Sequence, residues 1–72
     1  MERFIHYTQS AAAIVLTDAF FEMTHHLDPE VQAPDWREGE AEDWMAAILK
    51  GARLSYRFNT KGKPYPVLVE VV

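Results

Sequence analysis

The chain has 72 residues, a hydrophobic fraction of 49%, a formal net charge of −4 and no cysteine. This length predicts one compact domain over residues 1–72. The lack of cysteine excludes a disulfide scaffold, a thiol nucleophile and a cysteine-ligated metal, and the apolar fraction is too high for intrinsic disorder. Because a core this small seldom contributes more than about 3–5 kcal/mol, we also expect a homodimer or a stable complex with a partner.

The first two predicted elements are a strand and a helix. Residues 2–7 are rich in aromatic and β-branched side chains, which predicts a short strand. Thr8 or Ser10 can then cap a helix over residues 10–27 with a side-chain oxygen. Apolar residues of this segment recur at three- and four-residue steps and predict a stripe that faces the core: Ala12, Leu16, Ala19, Phe20, Met23 and Leu27.

The same helix has a second apolar side. Ile14 and Phe21 are seven residues apart and therefore lie together, away from the predicted core stripe. A fully solvated face does not need these two side chains. We expect that the helix is either enclosed within the fold or presents this stripe to another chain.

A second helix is predicted after a loop over residues 28–35. Asp35 and Glu38 have the spacing of a capping box, which predicts a helix over residues 36–50. Gly51 is suited to the left-handed residue that ends such a helix. The predicted inner stripe consists of Ala41, Trp44, Met45, Ile48 and Leu49.

The remainder of the chain predicts a hairpin, because two alternating segments flank a polar turn that contains glycine. The side chains predicted to face the core are Leu54, Tyr56, Phe58, Val67, Val69 and Val71. The order is therefore β-α-α-β-β. It predicts an α+β fold in which a small antiparallel sheet of about three strands packs against two helices.

Charge is divided between two parts of the chain. Residues 28–43 contain seven acids against one base, Arg37, whereas residues 50–63 contain five bases and no acid. Ordinary solvated surface is one interpretation of such runs. The other is a bipolar molecule whose field attracts partners of opposite charge.

From the acidic region we predict a protein-interaction module that docks on a basic site of a partner protein. An inhibitor or adaptor of the kind that phages and plasmids encode would fit this description. Trp36 is expected to be half-exposed at the start of the second helix, where it could contribute to binding. The predicted partner-binding residues are Trp36, Glu38, Glu40, Glu42, Asp43, Ile14 and Phe21.

Nucleic-acid binding is the first alternative. Two helices before a basic hairpin resemble a winged-helix arrangement, and phosphate contacts would come from Arg53, Arg57, Lys61 and Lys63. The acids at the start of the second helix would repel phosphate, however, and a third helix is missing. Nucleic-acid binding is therefore less favoured than protein binding.

A metal site on the first helix is the second alternative. Glu22 and His25 have the Glu-x-x-His spacing of helical carboxylate metal sites, and Asp18 lies one turn earlier. A histidine that interacts with the helix C-terminus and a nearby carboxylate explains the same pattern more simply. We predict no metal and no cofactor.

No arrangement of nucleophile, base and orienting group is visible in the sequence, so we predict a protein without enzymatic activity. The three glycines are isolated, which excludes a phosphate-cradling loop. No apolar run approaches the roughly 18 residues of a membrane span. A cytoplasmic location is expected, since a chain without cysteine suits a reducing compartment.

Overall fold

The structure, a computed structural model, describes residues 10–71. It contains two helices, α1 (Ala11–Thr24) and α2 (Glu40–Leu49), followed by two strands, β1 (Arg53–Phe58) and β2 (Pro64–Val69). The α+β class and the order of these four elements are confirmed. The strand predicted over residues 2–7 lies outside the described residues, and the described part of the sheet is an antiparallel pair, β1–β2.

Helix α1 begins where the sequence predicts and ends three residues early. The Ser10 hydroxyl oxygen accepts a hydrogen bond from the Ala13 backbone N–H at 3.1 Å, as an N-cap does. After Thr24 the chain turns, and the backbone N–H of Asp28 donates to the Thr24 carbonyl at 3.0 Å. The predicted core residue Leu27 therefore falls in the turn and is exposed.

The buried side of α1 is rotated from the predicted stripe. Leu16 and Phe20 are buried as expected, but the other predicted members of the stripe are at most half-buried. The remaining buried residues of the helix are Ala13, Thr17 and Thr24. Both threonine hydroxyls are satisfied, which makes their burial tolerable: Thr24 donates to the Phe20 carbonyl, and Thr17 accepts from a tryptophan.

That tryptophan is Trp36, which lies in the segment between the two helices and attaches this segment to α1. Its indole Nε1–H donates to the Thr17 hydroxyl oxygen at 2.8 Å. Its ring also meets the edge of Trp44 on α2, with centroids 5.0 Å apart and an interplanar angle of 80°. The core around it includes Ala13, Leu16 and Ala41, with Trp44, Met45, Ile48 and Leu54 packed at its margin.

Helix α2 starts four residues later than predicted. Gly39 is the N-cap with a φ of +80°, a left-handed conformation that favours glycine. The predicted capping box between Asp35 and Glu38 is therefore wrong. A related contact forms two residues further along, where the Glu40 carboxylate accepts from the Arg37 backbone N–H at 3.3 Å.

The end of α2 follows the predicted rule. Gly51 has a φ of +112°, and its N–H donates to the Ile48 carbonyl while that of Ala52 donates to the Ala47 carbonyl. This pair of bonds is the Schellman motif. Leu49, predicted on the inner stripe, is 82% exposed. It is the last residue of α2 and lies about 80° around the helix from the buried Ala41, at the margin of the stripe.

The hairpin is confirmed, but its predicted core face is wrong. In the register, Leu54, Tyr56 and Phe58 lie opposite Leu68, Pro66 and Pro64. Directly opposed residues share a face, so Val67 and Val69 lie on the other face with Ser55 and Arg53. The predicted placement of the valines on the face of Leu54 is wrong because alternation within each strand does not fix which residues are opposed.

Candidate functional site

The acidic residues predicted to bind a partner cluster around the first turn of α2. Glu40, Glu42 and Asp43 belong to that turn, and Glu38 precedes it. Carboxylates at this end of a helix interact favourably with its dipole. Glu38, Glu42 and Asp43 are exposed and Glu40 is half-buried, and within residues 10–71 none of the four forms an ion pair.

One hydrogen bond connects this acidic turn to α1. The Ser10 hydroxyl donates to the Glu42 carboxylate at 2.9 Å, while its oxygen caps α1. The N-terminal ends of the two helices are therefore adjacent. Ile14, one turn into α1, is 49% exposed, and Val15 is 54% exposed. The sequence reasoning had not included Val15 among the binding residues, although its position beside Ile14 could have suggested it.

Phe21 lies away from the acidic first turn of α2. It follows Ile14 by seven residues, which is about 10 Å along a helix. Its ring is half-buried, meets the Phe20 ring at a centroid distance of 6.3 Å, and lines a shallow groove with Pro29 and Val31. Phe21 and Ile14 therefore share one side of α1 but lie about two turns apart.

Trp36 differs from its predicted environment. The half-exposed position expected at the start of a helix is wrong, because the residue precedes α2 and only 5% of it is exposed. Its indole N–H is already bonded to Thr17. Trp36 lies beneath the surface, where it attaches the loop before α2 to α1, and very little of its own area is accessible to a partner.

The basic residues of the hairpin divide into two groups. Arg53 and Arg57 are exposed on one face of β1, and the cross-strand partner of Arg57 is the exposed Tyr65. Lys61 and Lys63 lie in or next to the turn. The Asn59 side chain shapes this turn by accepting from the backbone N–H groups of both lysines, at 2.9 and 3.0 Å.

Lys63 also links the hairpin to the loop after α1. Its ammonium group lies 3.2 Å from the Asp28 carboxylate. The pKa of Asp28 is lowered, first because its carboxylate accepts from the Glu30 backbone N–H, and second because it accepts from Lys63. The ion pair is exposed, so its contribution to stability is small.

This ion pair lies at the side of a groove that the sequence did not reveal. The groove has a volume of about 600 Å³ and lies between the loop over residues 28–34 and the hairpin turn. Phe20, Val31 and Tyr65 give it apolar surface, and Lys61 and Glu30 give it charge of both signs. Its two walls are far apart in sequence, which is why no local pattern predicts it.

The residues of the metal alternative are not assembled into a metal site. Asp18 and Glu22 are exposed on α1, and His25, the C-cap that follows the helix, is exposed as well. Among residues 10–71 no three His, Asp or Glu side chains come together in a way that could hold a metal ion. The same part of the chain contains no helix with the length and apolarity needed to cross a bilayer.

Comparison of the chain with protein-family models, with curated proteins and with solved structures gives no match. The site must therefore be interpreted from its own residues.

Proposed function

We propose that the chain is a non-catalytic protein-interaction module whose binding surface is the acidic end of α2 together with the exposed first turns of α1. We name this surface the acidic end and define it by the residues Glu38, Glu40, Glu42, Asp43, Ile14 and Val15. The observation that carries the proposal is the Ser10–Glu42 hydrogen bond, which connects the acidic first turn of α2 to the start of α1, where Ile14 and Val15 are exposed.

The composition of the acidic end suits a basic protein surface. Carboxylates without an ion-pair partner in residues 10–71 can attract lysine and arginine side chains of a partner and accelerate the encounter. Apolar side chains that lose their water on contact supply most of the affinity. The buried Trp36–Thr17 contact fixes the loop before α2 and so keeps the surface preorganised.

The biological setting that we propose is an inhibitor or adaptor in the cytoplasm, acting as a monomer or a homodimer. Phe21 lies outside the acidic end, since it is about two helical turns from Ile14.

Neutralising variants test the proposal without removing the hydrogen-bond acceptors of the site. Glu40→Gln, Glu42→Gln and Asp43→Asn would be combined, and the affinity for a basic protein captured from native lysate would be measured at two salt concentrations. Loss of three carboxylate contacts should weaken binding by roughly ten- to a hundredfold and flatten its salt dependence.

A matched control removes the same charge elsewhere. Glu22→Gln, Glu30→Gln and Glu70→Gln alter three exposed acids outside the acidic end. Equal losses in both variants would mean that only net charge matters and would contradict the proposal. Unchanged binding in the first variant would contradict it as well.

Nucleic-acid binding stays the second candidate because one observation favours it. The register places Arg53 and Arg57 on one face with the exposed ring of Tyr65, and arginine and aromatic side chains together are typical of single-strand binding surfaces. A gel-shift titration with single-stranded oligonucleotide at low and high salt tests this candidate. It is removed if the oligonucleotide does not shift at low salt.

A further inference from the structure

The two outer edges of the hairpin differ in their capacity for hydrogen bonds. The Asn59 N–H donates to the Lys63 carbonyl at 2.9 Å, and this pair continues the strand register. Bonded and non-bonded pairs alternate along an antiparallel ladder, so the next pair, Phe58 with Pro64, is non-bonded. The same alternation makes two further pairs non-bonded: Tyr56 with Pro66 and Leu54 with Leu68. Backbone groups at these positions point away from the partner strand.

Only the edge of β1 offers a complete row of donors and acceptors. On β2, Pro64 and Pro66 have no N–H, so an added strand would find carbonyl groups there but few donors. On β1, Leu54, Tyr56 and Phe58 each present an N–H and a C=O. The ladder does not use these groups, and outside the ladder no hydrogen bond within residues 10–71 involves them. An unpaired edge of this kind is a template for another strand.

The side chains of β1 define what that strand should look like. Arg53 and Arg57 are exposed on one face, and neither forms an ion pair with a described residue. The opposite face carries Leu54, Tyr56 and Phe58. Phe58 is 53% exposed, and its ring meets the edge of Tyr56 at a centroid distance of 5.8 Å. The strand therefore has a basic face and an apolar face.

We propose that the outer edge of β1 binds an extended segment of a partner protein in which acidic and apolar residues alternate. Opposed side chains in neighbouring strands lie on the same face. Acids of the segment would thus meet Arg53 and Arg57, and its apolar residues would cover Phe58 and its neighbours. This strand addition is independent of the acidic end, because it prefers the opposite charge and uses backbone hydrogen bonds for affinity.

The charge of β1 favours a partner segment over two other strands that could pair with its edge, a second copy of β1 and residues 2–7 of the chain itself. Pairing β1 with a second copy of itself would collect four arginine side chains on one face of the sheet without an acid. Like charges placed across neighbouring strands are destabilising. Residues 2–7 of the chain contain a single acid, Glu2, and so match the two arginines only in part.

A short peptide tests the proposal on the full chain. The probe is a six-residue, end-capped peptide that alternates glutamate and valine, and amide hydrogen exchange is followed by NMR. Saturating peptide should slow exchange at Leu54, Tyr56 and Phe58 by at least roughly tenfold. The amides of Ser55 and Arg57 should change little, because the ladder already bonds them to β2.

Two changes to the probe separate charge from backbone pairing. A peptide that alternates lysine and valine should bind at least about tenfold more weakly, since its cations would face the arginines. N-methylation of the glutamate–valine peptide on its pairing side should abolish protection, because it removes the backbone donors. Equal binding of all three peptides would overturn the proposal.

Variants of the chain supply the converse test. Arg53→Glu with Arg57→Glu should reverse the preference, so that the lysine–valine peptide binds better than the glutamate–valine peptide. Lys50→Glu with Lys61→Glu makes the same change in charge at two exposed positions outside the ladder and should keep the original preference. A reversal in both variants would attribute the preference to net charge and overturn the proposal.

Three further results would also overturn it. Protection of Leu54, Tyr56 and Phe58 in the free protein would mean that the edge is already covered, and sedimentation velocity would then distinguish a second copy from the chain's own residues 2–7. Absence of any response to the glutamate–valine peptide would exclude strand addition. A response of these amides to single-stranded oligonucleotide instead would assign β1 to nucleic acid.

Discussion

The acidic end and the basic hairpin carry opposite charge and are held in place by different interactions. The acidic end is attached to buried groups, since Trp36 precedes it and bonds to Thr17 inside the core. The hairpin turn is held by the Asn59 side chain and by an exposed ion pair between Lys63 and Asp28. Buried contacts therefore determine the geometry of the acidic end, whereas hydrogen bonds and an exposed ion pair at the turn determine the geometry of the hairpin.

The largest expected effect is at the buried attachment. Trp36→Ala should lower the free energy of unfolding by about 3–5 kcal/mol, because it removes a large buried ring. Urea denaturation followed by circular dichroism measures this change. Since such a loss can unfold a small domain, Trp36→Phe provides a milder variant that should still be destabilised. A wild-type midpoint for Trp36→Phe would contradict the importance of this contact.

The polar part of the same contact should have an intermediate effect. Thr17→Val keeps the shape of the side chain but leaves the indole N–H of Trp36 without its acceptor. A buried unsatisfied donor costs about 1–3 kcal/mol. Thr17→Ser, which retains the hydroxyl, is the matched control and should lose less. Wild-type stability of Thr17→Val, which keeps a methyl group but lacks the hydroxyl, would mean that the hydrogen bond does not contribute.

The link between the two helices should have a smaller effect. Ser10→Ala removes both the cap of α1 and the donor to Glu42, and should lower the free energy of unfolding by about 1 kcal/mol. Ser10→Asp can still cap the helix but places a second negative charge beside Glu42. Its stability should therefore rise with salt concentration more than that of the wild type. Identical salt dependence would argue against the Ser10–Glu42 contact.

The smallest effect is expected at the exposed ion pair, and it depends on pH. The pKa of Asp28 is lowered in the folded protein by the Glu30 N–H and by Lys63. The contribution of its carboxylate is therefore present above the unfolded value of about 3.9 and is lost as the pH falls through the folded value. Asp28→Asn should lower the urea midpoint slightly at neutral pH.

The same variant should match the wild type at pH values below the folded pKa of Asp28. A difference that persists unchanged down to pH of about 2 would show that ionisation of Asp28 is not its cause. Lys63→Met tests the ion pair alone and should reproduce only part of the difference, since the Glu30 N–H remains bonded to Asp28.

Local chemistry explains what could be predicted from the sequence. Ser10 as a cap, Gly51 as the end of α2 and the polar turn of the hairpin each depend on neighbours within a few residues. For this reason four elements in the correct order followed from residue types and spacing. The start of α2 was wrong because the Asp35–Glu38 spacing suited a cap that the left-handed Gly39 replaced.

Contacts between distant residues explain what could not be predicted. Thr17 and Trp36 are 19 residues apart, and neither residue by itself indicates that the other satisfies it. The strand register was undetermined for a similar reason, because alternation in each strand allows either face of β2 to join Leu54. Exposure of Leu49 and burial of Trp36 followed from where the elements meet, which periodicity within one element does not encode.

The sequence by itself determined the helices, the hairpin and the separation of acidic from basic residues, since propensity, capping, turn chemistry and charge are local properties. Tertiary structure decided that Ser10 meets Glu42, that Trp36 is enclosed and that Leu54, Tyr56 and Phe58 direct their backbone groups outward. These outcomes depend on how whole elements pack, because burial and hydrogen-bond pairing are settled only when segments distant in the chain come together.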